Sequence, residues 1–146
     1  MRLEPVCEFV WSYDEDVRVK APGYDLISPY SSEEGTGYGE GRGTVGGRIT
    51  GNAVWSNYPR RRSDGCMLPN VRGLITTDDG ASILFELQGR TVFGDDPTGR
   101  QSLVGWFEAE DERYRWLNEI VCIAEGRIDV DGMHVRVFAG VHELDA

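Results

Sequence analysis

The chain has 146 residues, of which 40% are hydrophobic. That is the length of one ordinary domain, with enough apolar residues for a core and too many for a disordered chain. Its 25 acidic residues exceed its 15 basic residues and give a net charge of −10, which repels phosphate backbones and anionic lipid surfaces. We therefore expect one domain over residues 1–146, with neither nucleic acid nor a membrane as its partner.

The N-terminal segment and the cysteines bear on the cellular compartment. Glu4 and Glu8 interrupt the apolar stretch that a secretory signal needs. No segment approaches the roughly 18 apolar residues of a membrane span. The three cysteines are an odd number and lie far apart, at Cys7, Cys66 and Cys122, which is typical of free thiols in a reducing compartment. The sequence thus predicts a cytoplasmic protein.

The glycine content of the chain bears on its fold class. The 19 glycines disfavour a helical bundle, because glycine is costly inside helices and useful in turns and bent strands. We predict strands at residues 3–13 and 17–21, followed by a loop at 21–34. Glycine then occupies every second position from Gly35 to Gly43. In an extended chain these glycines share one face, which lets a backbone or a ligand approach, or lets the strand coil tightly.

Turn signals divide the next part of the chain into hairpins. Residues 43–57 predict a hairpin that turns near Gly46-Gly47, with its second strand at 49–58. Residues 58–65, which read YPRRRSDG, then interrupt the regular pattern. The clearest hairpin spans residues 71–93 and turns at Asp78-Asp79-Gly80.

The C-terminal part predicts more strands and one short helical turn. A loop at 95–99 precedes a strand at 101–109, and acidic residues before Arg113 and Arg115 favour a helical turn at 110–118. Strands at 119–129 and 133–141 form a final hairpin. Roughly eight strands with short connections predict an all-β fold, a single antiparallel β-barrel that closes its own edges. A β-sandwich is the alternative.

Three segments carry a resemblance to a known family. They are TTDDGASI at residues 76–83, FEAEDERYRWLN at 107–118, and the strand at Trp55 that leads into RSDG at 62–65. With the opening RLEP, they resemble the family known as domain of unknown function 3237, or uncharacterised protein family 0311. Val54 and Gln88 depart from the family's pattern, which has Asp and Asn there. The resemblance implies a barrel akin to allene oxide cyclase and lipocalin-like proteins, and it implies no defined reaction.

Two carboxylates are candidate catalytic groups. Glu108 follows Trp106 on a strand with apolar residues on both faces, and a carboxylate in an apolar wall has a raised pKa that suits proton transfer. The alternative is an ion pair with an arginine such as Arg90 or Arg100. Asp64, in a loop before Gly65, is a second candidate base, and its alternative is a simple Asp-Gly turn.

Candidate substrate-binding residues combine aromatic and charged side chains. The aromatic candidates for a ligand wall are Trp55, Trp106, Tyr114 and Trp116. The alternative is that they belong to the core or plug an end of the barrel. Arg60, Arg61 and Arg62 are candidate clamps for a carboxylate or phosphate of a ligand, with Arg60 chosen as the binding residue, and the alternative is that they are solvated loop charges. Glu86 and Arg90 share a face of their strand with Leu84. They face a ligand if the barrel is hollow and polar, and they form an exposed ladder if the opposite face, which carries Phe85, packs inside.

Other chemistries have little support in the sequence. His134 and His142 are the only histidines, and a catalytic zinc site needs three protein ligands, so we expect no metal. The glycine run precedes no predicted helix and is not a dinucleotide fingerprint. We expect a cofactor-free isomerase, cyclase or lyase that acts on a partly apolar small molecule. The alternatives are a small-molecule carrier and a structural or interaction module, and a homodimer is left open.

Overall fold

A computed structural model describes residues 1–20, 34–94, 98–129 and 132–144, and for residues 15–20 it describes the backbone. Ten strands form in these residues: β1 (Arg2–Lys20), β2 (Gly35–Gly47), β3 (Gly51–Asn57), β4 (Arg60–Arg61), β5 (Met67–Leu68), β6 (Asn70–Thr77), β7 (Ser82–Phe93), β8 (Gly99–Ala109), β9 (Cys122–Asp129) and β10 (Gly132–Val141). A 3-10 helix, Glu112–Glu119, lies between β8 and β9.

The eight long strands form a closed antiparallel barrel. Around the barrel they follow the order β1, β2, β3, β6, β7, β8, β9, β10, and β10 pairs with β1 to close it. Closure gives each long strand two neighbours, so the sheet has no long unpaired edge. The predicted all-β barrel is confirmed, and the sandwich alternative is wrong because one continuous sheet returns to its first strand.

Most predicted elements form, with shifted bounds. The hairpin at 71–93 forms β6 and β7 around the turn at Asp78–Gly80, and the helical turn is the 3-10 helix. The two predicted N-terminal strands are one strand, β1, whose pairing with β2 shifts register between Tyr13 and Arg18. The segment at 58–65 contains β4, which pairs with the start of β2 and with β5. The predicted loop at 21–34 lies outside the described residues apart from Glu34.

Directly paired, inward-facing residues form a row that climbs around the barrel. The row begins at Thr77, whose amide donates to Ala81 O at 2.9 Å, and returns one circuit later to Thr91, ten residues beyond Ala81. Its members are Thr77, Gly51, Val45, Phe9, Val135, Gly126, Gln101 and Thr91. This stagger is the geometric consequence of strand tilt in a closed barrel. It carries one inward row from one end of the barrel to the other.

Aromatic rings fill the middle of the barrel. Trp11 lies 4.4 Å from Phe9 and 5.3 Å from Trp55, measured between ring centroids, and Phe85 lies 5.0 Å from Phe9. Such tilted contacts stabilise a core beyond the area that they bury. We call the layer formed by the rings of Phe9, Trp11, Trp55 and Phe85 the aromatic floor.

The alternating glycines of β2 make room for these rings. Gly41 is the direct partner of Trp55, and a Cβ on Gly41 would collide with the Trp55 indole and with the Ser12 carbonyl. A Cβ on Gly39 would lie 2.7 Å from the Tyr13 ring. The glycine face predicted from the sequence therefore points inward, and what approaches it is the aromatic side chains of neighbouring strands.

The two ends of the barrel differ. At one end, the helix end, the 3-10 helix lies across the β8–β9 connection and buries Leu117 completely. At the other, the β4–β5 end, the short β4–β5 hairpin fills the gap between the start of β2 and the end of β7. Among the described residues, no helix is both long and apolar enough to cross a bilayer.

Two glycines on the same strand test the packing of β2. Gly41→Ala places a methyl group against the Trp55 ring and a backbone oxygen, so we expect it to lower the free energy of unfolding by about 1–3 kcal/mol. Gly46→Ala is the matched control, because a Cβ there meets no atom within 4 Å, and we expect a change below about 1 kcal/mol. Urea unfolding of both variants checks this. Equal stabilities would show that the inward glycines are not required by packing.

Candidate functional site

An alternation of inward and outward side chains runs from β3 through β4. The inward residues Trp55, Asn57, Pro59 and Arg61 are buried, and Tyr58 and Arg60 between them are exposed. Three of these inward residues lie opposite glycines of β2, since Trp55 pairs with Gly41, Asn57 with Gly39 and Arg61 with Gly35. The segment therefore lines the interior of the barrel from its middle to the β4–β5 end.

Arg61 places a cation inside the barrel wall. Its side chain is 1% exposed, and its Nη2 lies 3.9 Å from Met67 Sδ. Met67 is the direct partner of both Arg61 and Thr91, and Gln101 Nε2 donates to Thr91 Oγ1 at 3.2 Å. Arginine is rarely fully buried, and a buried guanidinium in a row with two polar side chains marks this end as a candidate site.

Trp55 contributes a second buried donor. Its side chain is 5% exposed, and its indole Nε1–H has no hydrogen-bond partner among the described residues. A buried donor left unsatisfied costs about 1–3 kcal/mol, and such groups call for an explanation such as a bound ligand or water. We name Arg61, Trp55, Asn57, Thr91 and Gln101 the polar belt, which extends from Trp55 in the aromatic floor to the β4–β5 end.

The side chain of Asn57 links the belt to two other strands through hydrogen bonds. Its Nδ2 donates to Tyr13 Oη at 3.0 Å, and its Oδ1 accepts from the Asn70 amide at 2.9 Å. The Tyr13 ring meets the Trp55 indole edge to face at 4.9 Å. These contacts orient the Tyr13 hydroxyl and the Trp55 ring relative to each other.

The belt is rich in donors and poor in acids. The described polar side chains that are buried are those of Asn57, Arg61, Thr77, Thr91 and Gln101, and none of these is a carboxylate. Within the described ranges, no three His, Cys, Asp or Glu side chains are arranged to hold a metal ion. Donors above an aromatic floor suit an oxygen-bearing, partly apolar molecule.

The buried thiols offer no nucleophile. Cys7 and Cys122 lie on β1 and β9, with β10 between them. Burial raises the pKa of Cys7 strongly and that of Cys122 to about 11, so both remain protonated at neutral pH. The thiolate is the reactive form of cysteine, and these two side chains are therefore packing groups.

Four of the predicted site residues lie on the outer face of the barrel. β8 alternates strictly between buried and exposed positions, which places Glu108 and Trp106 outside. Trp106 Nε1 donates to Glu86 Oε2 at 2.9 Å, and Arg72 Nε contacts Glu86 Oε1 at 2.9 Å. Arg90 is exposed and donates to the Gly89 carbonyl at 2.8 Å. The structure thus matches the exposed-ladder alternative, with Phe85 packed inside.

Asp64 and Arg60 lie in the exposed connection around β4. Arg62 Nη2 donates to Asp64 Oδ2 at 2.8 Å, and the Cys66 amide donates to Asp64 Oδ1 at 3.1 Å. These two hydrogen bonds, the first more strongly, hold the pKa of Asp64 below its usual value. A carboxylate stabilised in this way is a weak base in a turn. Arg60 points outward, on the opposite face from Arg61.

Tyr114 and Trp116 lie at the helix end, across the barrel from the belt. Tyr114 Oη donates to Asp79 Oδ2 at 2.7 Å, and the Arg48 guanidinium lies 3.8 Å from the centre of the Trp116 ring. Asn118 holds the chain from both sides, since its Oδ1 accepts from the Ala109 amide at 2.7 Å and its Nδ2 donates to the Ala109 carbonyl at 2.8 Å. The TTDDG and YRWLN segments therefore fasten the 3-10 helix to the barrel.

Asp111 is the N-cap residue of the 3-10 helix, and its carboxylate forms an ion pair with Arg113. Its Oδ1 accepts from the Arg113 amide at 3.0 Å, and its Oδ2 accepts from Arg113 Nη2 at 2.8 Å. The Arg113 side chain, and next its amide, lower the pKa of Asp111 to about 2. The ionised carboxylate thus stabilises the helix start.

Comparisons with known proteins agree with this architecture. The sequence model of the family described as "Protein of unknown function (DUF3237)" matches residues 1–140, which confirms the resemblance predicted from the sequence. Among curated proteins, none matches this chain.

Solved structures share the fold at low identity. A beta-barrel like protein from Acinetobacter baumannii AYE has a TM-score of 0.69 at 20% identity, with 94% of each chain covered. A protein with unknown function from Clostridium acetobutylicum ATCC 824 has a TM-score of 0.77 at 17% identity, covering 97% of this chain and 100% of that one. An enzyme from Penicillium herquei has a TM-score of 0.65 at 19% identity, covering 95% and 94%. At these identities the likeness is one of fold.

The lowered pKa of Asp111 predicts how the stability of the fold depends on pH. Because the pKa of Asp111 is lowered from 3.8 to about 2, its ionised form stabilises the fold above pH 3.8, and this stabilisation is lost as the pH falls through about 2. Asp111→Asn keeps a capping oxygen but lacks the charge. We expect the variant to be less stable than the wild type at pH 6 and equal to it near pH 2. Urea unfolding at several pH values measures the gap, and a gap that does not narrow would contradict the assignment.

Proposed function

This chain belongs to the DUF3237 family of proteins of unknown function, and we propose that its polar belt binds a small, partly apolar molecule through a carboxylate or carbonyl oxygen of that molecule. The observation that carries the proposal is the buried Arg61 guanidinium in the barrel interior, with the indole N–H of Trp55 on the same inward face.

The charge of Arg61 determines the chemistry of the ligand. A guanidinium inside a low-dielectric barrel interacts more strongly with an oxyanion than it does at the surface. Its planar fork suits a carboxylate or a polarised carbonyl. Thr91 and Gln101, in the same inward row, add side chains that both donate and accept hydrogen bonds, so the row complements a molecule with more than one oxygen.

The aromatic floor determines the rest of the ligand. Phe9, Trp11 and Phe85 present ring surfaces below the belt. Ligand sites are typically apolar walls with a few placed polar groups. A molecule with an apolar or aromatic body and one oxygen-bearing end therefore fits better than a sugar or a polyvalent anion.

Catalysis is the second candidate function, and one structural neighbour favours it, because the Penicillium herquei protein is described as an enzyme. Donors that face a carbonyl oxygen stabilise the negative charge that develops on it during enolisation or elimination. The Tyr13 hydroxyl, oriented by Asn57, is the proton-transferring group that we propose for such a step. The reaction class is a cofactor-free isomerisation, cyclisation or elimination.

An anionic fluorescent probe tests the binding proposal. The probe 8-anilinonaphthalene-1-sulfonate combines aromatic rings with one oxyanion. We expect Arg61→Gln to weaken its binding at least tenfold through loss of the cation, and Trp55→Phe to weaken it less, because that change removes the N–H and keeps an aromatic ring. Fluorescence titration gives the dissociation constants.

Arg60→Gln is the matched control, because Arg60 is adjacent in sequence and points outward. It should bind the probe like the wild type. Circular dichroism of each variant establishes that the barrel is folded. If folded Trp55→Phe and Arg61→Gln both retain wild-type affinity, the belt is not the binding site.

A metabolite screen tests the catalytic candidate. Cell extract is incubated with the wild type and with Tyr13→Phe, and the products are compared by mass spectrometry. We expect a compound that the wild type consumes with formation of an isomer or an elimination product, at a rate at least tenfold lower with Tyr13→Phe. Unchanged turnover in the variant would remove Tyr13 from the reaction and leave binding as the function.

A further inference from the structure

Three basic side chains form a cross-strand row on the outer face of β8, β9 and β10. Arg100 is the direct partner of Arg127, and Arg127 is the direct partner of His134. All three side chains are exposed. Like charges directly opposite each other in a sheet are destabilising, so the Arg100–Arg127 pair costs stability unless an anion lies between the two guanidinium groups.

The acids around this row contact His134 and Arg136 rather than the two arginines of the row. Glu8 Oε1 lies 3.1 Å from His134 Nδ1, and Glu125 Oε1 lies 3.7 Å from Arg136 Nη1. In the part of the chain that the structure describes, neither Arg100 nor Arg127 contacts a carboxylate. Two uncompensated positive charges thus face each other in a chain whose net charge is −10, where acidic partners are abundant.

The row borders a concave surface. A groove of about 540 Å³ runs between the row and the end of β7. Val92 and Phe93 form one apolar side of it, and Gly94 leaves its rim without a side chain. The groove combines an apolar wall with two adjacent guanidinium groups, and the two carboxylates that also line it, Glu8 and Glu125, contact His134 and Arg136.

We propose that this groove binds a small molecule that carries a phosphate monoester, with the phosphate between Arg100 and Arg127 and the apolar part along Val92 and Phe93. A phosphate monoester carries a charge between −1.5 and −2 at pH 7, which matches the two uncompensated arginines better than a single carboxylate does. Arginine forks bind phosphate oxygens through paired hydrogen bonds.

This site is separate from the polar belt. Arg100 and Gln101 are neighbours on β8 whose side chains point to opposite faces of the sheet, Arg100 outward and Gln101 inward. Occupation of the groove therefore needs no ligand in the barrel interior. The two proposals fail or succeed independently.

Titration with two phosphates tests the groove. Amide resonances of ¹⁵N-labelled protein are followed while inorganic phosphate or phenyl phosphate is added. We expect saturating shifts at residues 100–102 and 126–128, with phenyl phosphate binding more tightly because its ring contacts Val92 and Phe93. Arg100→Gln and Arg127→Gln should each weaken binding at least tenfold.

Arg90→Gln is the matched control, since Arg90 is an exposed arginine on the adjacent strand β7. Without phosphate, Arg127→Gln should be at least as stable as the wild type, because the substitution removes a like-charge contact; this separates loss of binding from loss of fold. The proposal is overturned if Arg90→Gln weakens binding as much as Arg127→Gln does, or if the shifts are spread over the whole surface.

Discussion

The inward-facing glycines of β2 are the constraint on which the barrel interior depends. A closed barrel of eight strands must place every second side chain inside, and five aromatic residues of neighbouring strands point there together. The rings on the neighbouring strands β1 and β3 fit because the inward glycines of β2 carry no side chain, as the collision of a Cβ on Gly41 with the Trp55 indole illustrates. The aromatic floor holds Trp55 with its N–H buried, and the position of the polar belt follows from that floor.

The two ends of the barrel divide structural and chemical roles. At the helix end, Asp79, Tyr114 and Asn118 hold the 3-10 helix against the strands through side-chain hydrogen bonds. At the β4–β5 end, Arg61 and Trp55 bring buried donors into the interior. Two of the three segments that carry the family resemblance therefore attach the 3-10 helix to one end of the barrel. The candidate binding residues extend toward the opposite end.

The sequence predicted the barrel because its signals are local. The Asp79-Gly80 turn and the period-2 glycines act within a few residues, and both structures formed as predicted. Trp55, a candidate ligand-wall residue, lies in the barrel interior, a position that the core alternative also predicted. Arg61 was named with Arg60 and Arg62 but was not singled out, because residues 58–65 were treated as irregular. The inward alternation that begins at Trp55 in fact continues through Pro59 to Arg61.

The remaining site residues could not be placed from local pattern. The strand that carries Glu108 has apolar residues on both faces, and Val104 and Trp106 prove to be exposed, which surfaces commonly tolerate. Alternation shows which residues share a face but not which face is inside. The partnership of Tyr114 with Asp79 spans 35 residues and depends on how the barrel closes, so no spacing rule reveals it.

The central claim is that the Trp55 indole N–H donates to a bound oxygen in the polar belt. The protein has four tryptophans, so its ¹⁵N-labelled form has four indole N–H resonances, and Trp55→Phe assigns the one in the belt. On addition of 8-anilinonaphthalene-1-sulfonate, this resonance should move downfield, and the indole of the exposed Trp106, which already donates to Glu86, should not. A probe that binds while the Trp55 resonance stays in place would contradict the account.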